Sequence, residues 1–243
     1  MSSTATGTPA INLTVFRYAL MKGLRNPLTL IFNCILPPAL LFVRPLWTGE
    51  SEFFSGFGLL ALTIWGGSFL MAQGILADRE SGVLTRIMSA PISMRDYLLQ
   101  NLLAYMLPLA VQVALISMLG AILYSWTFVF AVGIFFALLM FTATSVAMSF
   151  AWNCMFRRKE SSFVAFSALV SLGSMISGAL VPLNALPTAL QHVGAIFPAY
   201  WAMRSIDYLQ QLGTMNLNYW VGIAALLLFT AAFILYGGKR RLA

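Results

Sequence analysis

Long unbroken apolar runs, not alternating or striped ones, set the pattern of this chain. Six of them lie near 28–47, 56–77, 97–123, 128–154, 161–181 and 217–237. Each is close to the ~20 residues that a helix needs to cross the hydrocarbon of a bilayer. Ahead of them, Ile11 to Asn26 reads as an amphipathic helix. Arg17, Met21 and Arg25 stand at i, i+4 and i+8 with Lys22 beside them, and Leu13, Phe16, Leu20 and Leu24 oppose them. Such a helix lies in the membrane interface with its apolar face down. The first run carries Pro37-Pro38, which predicts a kink or break. Arg44, Glu50 and Glu52 close its far end, with Trp47 at interfacial depth. Pro108 and Gln112 are expected to interrupt the third run, and a tight turn over Tyr124 to Thr127, bearing Trp126, joins the third to the fourth.

Leu180 to Leu212 departs from this pattern. Pro182, Pro187 and Pro198 divide it into Leu186–Phe197 and Tyr200–Leu212, both too short to cross. Pieces of this length read as re-entrant or interfacial, and irregular backbone at membrane depth survives only under cover of protein or water. Two short helices dipping into the outer leaflet and bending at Phe197-Pro198 are predicted.

Composition agrees with the pattern: 60% of the 243 residues are hydrophobic and only 9% charged. A soluble domain carries about a quarter charged residues. The net charge of +7 would suggest nucleic acid in a soluble protein, but its placement assigns it to topology. Of the 14 lysines and arginines, all but Arg44 and Arg204 fall in four clusters: Arg17, Lys22 and Arg25; Arg79, Arg86 and Arg95; Arg157, Arg158 and Lys159; and Lys239, Arg240 and Arg241. Positive charge gathers on the cytoplasmic side, which puts those regions and both termini there, in keeping with an even number of spans. Met1 to Pro9 lacks a basic region followed directly by a short apolar core, so it reads as a disordered tail and not a cleavable signal. Cys34 and Cys154 are expected to be buried thiols in apolar segments.

The most densely charged stretch, Leu76 to Arg95, reads L-A-D-R-E-S-G-V-L-T-R-I-M-S-A-P-I-S-M-R. Asp78, Arg79 and Glu80 mark where the second run leaves the bilayer, since a charge inside it costs about 3 kcal/mol. Ser81-Gly82 breaks the helix, and Val83 to Ser89 can form a short turn with Leu84, Ile87 and Met88 on one side and Arg86 on the other. Pro91 ends it, and Ser93 with Asp96 resembles a capping box for the next helix.

The string R-E-x-G-x-L-x-R followed by A-P-I-S resembles the first cytoplasmic loop of ABC-2 type transporter permeases. V-P-L-x-x-L-P with F-P-A-Y-W-x-x-R resembles the extracellular re-entrant hairpin before their last span. The two motifs lie in the right order on opposite faces, and the likeness covers nearly the whole chain. The resemblance implies an all-α polytopic fold of six transmembrane helices. Residues 1–27 would form the tail and interfacial helix, and 28–243 one transmembrane domain with a coupling helix at about 83–90 and a re-entrant hairpin at about 182–212. It further implies that Arg79, Glu80, Gly82, Val83, Leu84, Arg86, Ile87 and Pro91 meet an ATPase, with Glu80 and Arg86 expected to hold the loop in shape, Glu80 through an ion pair with Arg17 or Arg25. Pro182, Pro187, Phe197, Pro198 and Tyr200 would form the extracellular gate.

No G-x-x-x-x-G-K-[ST] phosphate loop exists in the sequence. The resemblance therefore places ATP and Mg on a separate ATPase subunit, with no cofactor in this chain. It implies pairing with a second copy or a paralogue in a bacterial cytoplasmic membrane, with no nucleic-acid partner. Ser167, Ser171, Ser174 and Gly178 recur at i, i+4, i+7 and i+11. This face serves either helix packing or a substrate path beside Trp65, Ser68, Phe69 and Met71. The implied cargo is an amphipathic drug, antibiotic or peptide, or alternatively a polysaccharide or lipid-linked glycan.

Two other classes are open on the residues. Gly66-Gly67-Ser68 could suggest an intramembrane serine protease, but the sole histidine, His192, lies in the proline-rich outer segment, and a serine without a positioned base is a weak nucleophile. An ATP-independent carrier would need an ionisable residue at mid-membrane, and no run has one. The 13 methionines are scattered, without the paired spacing of a soft-metal site.

Overall fold

The computed structural model describes residues 13–48, 55–83, 86, 94–182 and 185–239. Among the described residues the fold is helical without strands. Helix α1 (Leu13–Arg25) meets α2 (Pro27–Leu41) at an 81° bend. Asn26 makes that corner: its side chain accepts from the Leu28 N–H at 3.1 Å, and Pro27 starts the new helix. Within α2, residues Ile31–Ile35 wind as a π-helix, in which the Leu36 N–H reaches back to the Ile31 carbonyl. The cause is Pro37-Pro38. Neither has an N–H to give to the carbonyls of Asn33 and Cys34, so the predicted disruption is absorbed as a wide turn.

The long helices are α3 (Gly56–Glu80), α4 (Met94–Tyr124) and α5 (Phe128–Asn153), followed by α6 (Lys159–Ile176). After them come α7 (Thr188–Gly194), α8 (Pro198–Leu212) and α9 (Leu217–Lys239). Helix α5 is the central post, touching α3, α4, α8 and α9. Helix α9 is pinned to it by Thr144, whose hydroxyl lies 3.0 Å from the Leu226 carbonyl and 2.9 Å from the Thr230 hydroxyl. The Tyr219 hydroxyl likewise donates to the Gly133 carbonyl at 2.7 Å.

Beside its apolar core the bundle buries polar side chains and turns apolar ones outward. On α4, Gln100, Asn101 and Gln112 are buried, while Leu103, Leu107, Val111, Leu115 and Ile122 form an exposed stripe. Ile122 is 68% exposed against 5% for Gln112. Water on that stripe would be costly; acyl chains there are not.

Among the described residues, four helices are long and apolar enough to cross a membrane: α3, α4 from Leu99, α5 and α9 to Gly237. The bent α1–α2 pair is a candidate fifth. The six spans expected from the sequence are thus not all reproduced as helices of spanning length. Helix α6 has 18 residues, about 27 Å at 1.5 Å per residue, and its first turn is spent on Lys159 and Glu160. Helix α2 ends at Leu41.

Other expectations also change. Pro108 sits inside a continuous α4 and does not interrupt it. Cys34 is exposed on the outside of the π turn, where the extra residue per turn swings it away from the bundle; neither cysteine forms a disulfide. Trp47 and Trp126 also have partners that the sequence did not indicate. They pack with Phe57, Tyr124 and Phe130 in one aromatic cluster at ring separations of 5.0 to 6.3 Å. That cluster holds the ends of α2, α3, α4 and α5 together.

Candidate functional site

The last turn of α3 carries Asp78, which is only 2% exposed. A lone buried carboxylate is expensive, and this one is fully engaged. Lys22 of α1 forms an ion pair with Oδ1, the Tyr18 hydroxyl donates to Oδ1 at 3.1 Å, and the Tyr97 hydroxyl of α4 donates to Oδ2 at 2.8 Å. Lys22 also donates to the Gly74 carbonyl at 2.8 Å. Tyr18 and Lys22 stand at i and i+4 on one helix, so a single face of α1 supplies two donors. Val15 and Ala19 bury the adjoining face against Met71, Ile75, Tyr97 and Tyr105 in a cluster of its own. Arg17 and Arg25 remain exposed. The positive interfacial helix thus docks on the bundle through Lys22, with a cavity of about 280 Å³ beside it that Arg25, Gln73 and Lys159 also line.

Glu80, two residues on, points elsewhere. Its Oε1 accepts from the backbone N–H of Lys159 at 3.0 Å, the first residue of α6. A carboxylate there satisfies a helix donor that has no partner in its own helix and meets the positive end of the helix dipole. The expected ion pairs to Arg17 or Arg25 give way to this arrangement: Asp78 takes the α1 cation, and Glu80 caps α6. Helix α3 then stops. The Ser81 hydroxyl bonds the Ala77 carbonyl at 2.7 Å, and Gly82 adopts φ +71°, a left-handed conformation that favours glycine. Val83 and Arg86 are helical, and the Arg86 N–H bonds the Gly82 carbonyl at 3.4 Å. Leu84, Ile87 and Pro91 lie outside the described residues.

Along α3 the path candidates divide. Phe69 stacks on Phe166 of α6 with ring centroids 3.9 Å apart and planes at 7°. Trp65 meets the same ring edge-on at 6.5 Å and Phe141 at 6.1 Å. Met71 faces the other way, beneath α1. On α6, Ser174 is buried, Ser167 half-buried and Ser171 exposed. Gly178 follows the helix in a turn at φ +86°, so it does not extend the small-residue face.

The α3–α6 contact is a closed seam, yet an uncomfortable one. Among the described residues, Trp65 Nε1 and Ser68 Oγ of α3, Ser174 Oγ of α6 and Ser177 Oγ just past its end are buried without a hydrogen-bond partner. Among the described residues, no base lies within hydrogen-bond reach of Ser68 Oγ. The adjacent Gly67 is explained by packing, because a Cβ there would collide with the Asn33 side chain of α2.

At the opposite end, α7 and α8 meet at Phe197-Pro198 as two short helices, and Pro187 precedes α7 as its N-cap. Phe197 lies over Gly173 of α6, where a Cβ would strike its ring. Pro182 and Tyr200 line a cavity of about 530 Å³ together with Ser55, Phe57, Arg204 and Asp207.

The clamp on Asp78 was missed by sequence reasoning. The available signal was an acid at the end of a span combined with a Tyr-x-x-x-Lys face on the preceding amphipathic helix. No curated protein matches this chain. The family model of the ABC-2 family transporter protein, however, matches residues 48–238, and with that match spanning the bundle from α3 to α9, the chain belongs to the ABC-2 family of membrane transport subunits.

Proposed function

We propose that this chain is the permease subunit of an ATP-driven exporter. It works as a dimer, with a second copy or a paralogue, together with separate ATPase subunits that carry the ATP and Mg. The observation that supports this reading best is the pair of carboxylates at the end of α3. Asp78 ties that end to α1 and α4, and Glu80 ties it to the start of α6. A push on residues 83–90 from the cytoplasmic side is therefore transmitted to three helices at once. The orphaned polar atoms of the α3–α6 seam fit a contact that opens during a cycle, because water or cargo would then supply the missing partners. The exported cargo is an amphipathic or hydrophobic compound of the drug, antibiotic or peptide kind, released outward past Phe197 and the α7–α8 hairpin dipping into the outer leaflet. Both termini lie in the cytoplasm of a bacterial cell.

The decisive experiment reverses Arg86 to Glu in the complex reconstituted with its ATPase. The expected result is normal insertion with loss of transport and of transport-stimulated ATP hydrolysis. Unchanged transport would remove the coupling role from this loop.

A further inference from the structure

Helix α8 carries two ionisable side chains, Arg204 and Asp207, that line the same 530 Å³ cavity at the end of the bundle opposite Lys22. At i and i+3 they are placed to pair, but no ion pair joins them among the described residues. Arg204 is held back by two tyrosines. Nη1 donates to the Tyr200 hydroxyl at 2.6 Å and Nη2 to the Tyr208 hydroxyl at 3.3 Å. The guanidinium carbon sits 5.6 and 5.7 Å from the two ring centroids. Three of the five guanidinium donors are left for another group. Asp207 has no hydrogen-bond partner among the described residues, and burial raises its pKa to about 6. Phe57, Ala179, Leu180, Pro182 and Met203 give the cavity an apolar wall, with Gln191, Gln210 and Gln211 as neutral polar groups.

A cation and an anion that line one pocket, kept apart and each short of partners, are complementary to a ligand carrying both charges. We propose that this outer cavity binds a zwitterion: a primary ammonium hydrogen-bonded to Asp207 and an oxyanion engaged by Arg204 in the forked geometry that guanidinium favours. A phospholipid head bearing an amine and a soluble aminophosphate present the same chemistry. The apolar wall suits the lipid, whose chains would lie along Phe57 and Leu180. This inference does not depend on ATP-driven transport, because binding is read at equilibrium on the purified full chain.

The test measures retention of three lipids by the chain in nanodiscs: phosphatidylethanolamine, phosphatidylcholine and phosphatidylglycerol. Phosphatidylcholine keeps the charges but has no ammonium proton to donate, and phosphatidylglycerol lacks the amine. Phosphatidylethanolamine should be retained about tenfold better than either, the size expected for one charge-assisted hydrogen bond. Asp207→Asn and Arg204→Gln should each remove that preference. Soluble O-phosphoethanolamine at millimolar concentration distinguishes the sources. If it displaces the lipid, the head alone is recognised; if it does not, the apolar wall is part of the site, and either result supports the pocket. Equal retention of the three lipids by the unaltered chain overturns the proposal. So does a preference that survives Asp207→Asn in a variant whose melting curve shows it folded.

Discussion

Lys22 and Asp78, 56 residues apart in sequence, form an ion pair at the point where three helices converge. The lysine is partly exposed and the carboxylate almost wholly buried, at 27% and 3% side-chain exposure, so the two halves of the pair are not equivalent. Replacing Lys22 by Met leaves a buried charge with two tyrosine donors. Breaking a buried pair from one side costs about 3–5 kcal/mol, and here the low end is expected because Tyr18 and Tyr97 remain. Replacing both, Lys22→Met with Asp78→Asn, should recover much of that loss. Denaturant unfolding of the four proteins in one detergent supplies the double-mutant cycle, and additive effects would show that the pair is not coupled.

Glu80 tests the second attachment separately. Glu80→Gln retains an acceptor for the Lys159 N–H and should cost only about 0.5 kcal/mol, the range of exposed charge–dipole effects. Glu80→Lys sets a cation against the positive end of α6 and removes the acceptor. With a companion ATPase present, the expected outcome is near-normal stimulation of hydrolysis in the first variant and a several-fold loss in the second. Equal activity of both would mean that α6 takes no signal from this contact.

The all-helical, membrane-spanning character was legible because apolarity and run length are one-dimensional quantities. The break at Phe197-Pro198 and the wide turn before Pro37-Pro38 were legible for a similar reason, since a missing N–H acts on its own neighbours. Helix rotation was not legible. Helix α3 is apolar around its circumference over its spanning length, so nothing in its sequence separates one face from another, and Met71 turns towards α1 instead of joining Trp65 and Phe69. Pairing choices were not legible either. Asp78, Glu80, Arg17, Lys22 and Arg25 offer several combinations, and only the depth at which α1 docks, set by the small Val15–Ala19–Gly23 face, makes Lys22 the residue that reaches Asp78.

The orphaned hydroxyls between α3 and α6 yield an unusual expectation, a core substitution that stabilises. Ser174→Ala removes a buried Oγ that has no partner and hardly changes volume. The cost of burying an unsatisfied hydroxyl is about 1–3 kcal/mol, so the variant should unfold at higher denaturant by roughly the lower figure. If the seam opens during turnover, the same variant should transport more slowly while ATP hydrolysis without cargo is unchanged. A more stable variant that transports normally would confine Ser174 to packing.

Asp207 supplies a dependence on pH whose sign follows from its burial. Its carboxyl is raised from the ordinary 3.8 to about 6 by loss of water. The folded state therefore prefers the protonated form. That contribution to stability is complete below about pH 4 and is lost as pH rises towards 6, amounting to roughly 3 kcal/mol at 1.36 kcal/mol per unit. Arg204 is the charged neighbour lining the cavity on the same helix; the lining residues from α3, α7 and the stretch after α6 are neutral. Asp207→Asn should accordingly be more stable than the parent at pH 7.5 and nearly equal to it at pH 4. Thermal melting of both proteins across that range, read as the difference between them, cancels every other titrating group. A difference that stays flat with pH would mean the carboxyl is solvated in the membrane-embedded protein.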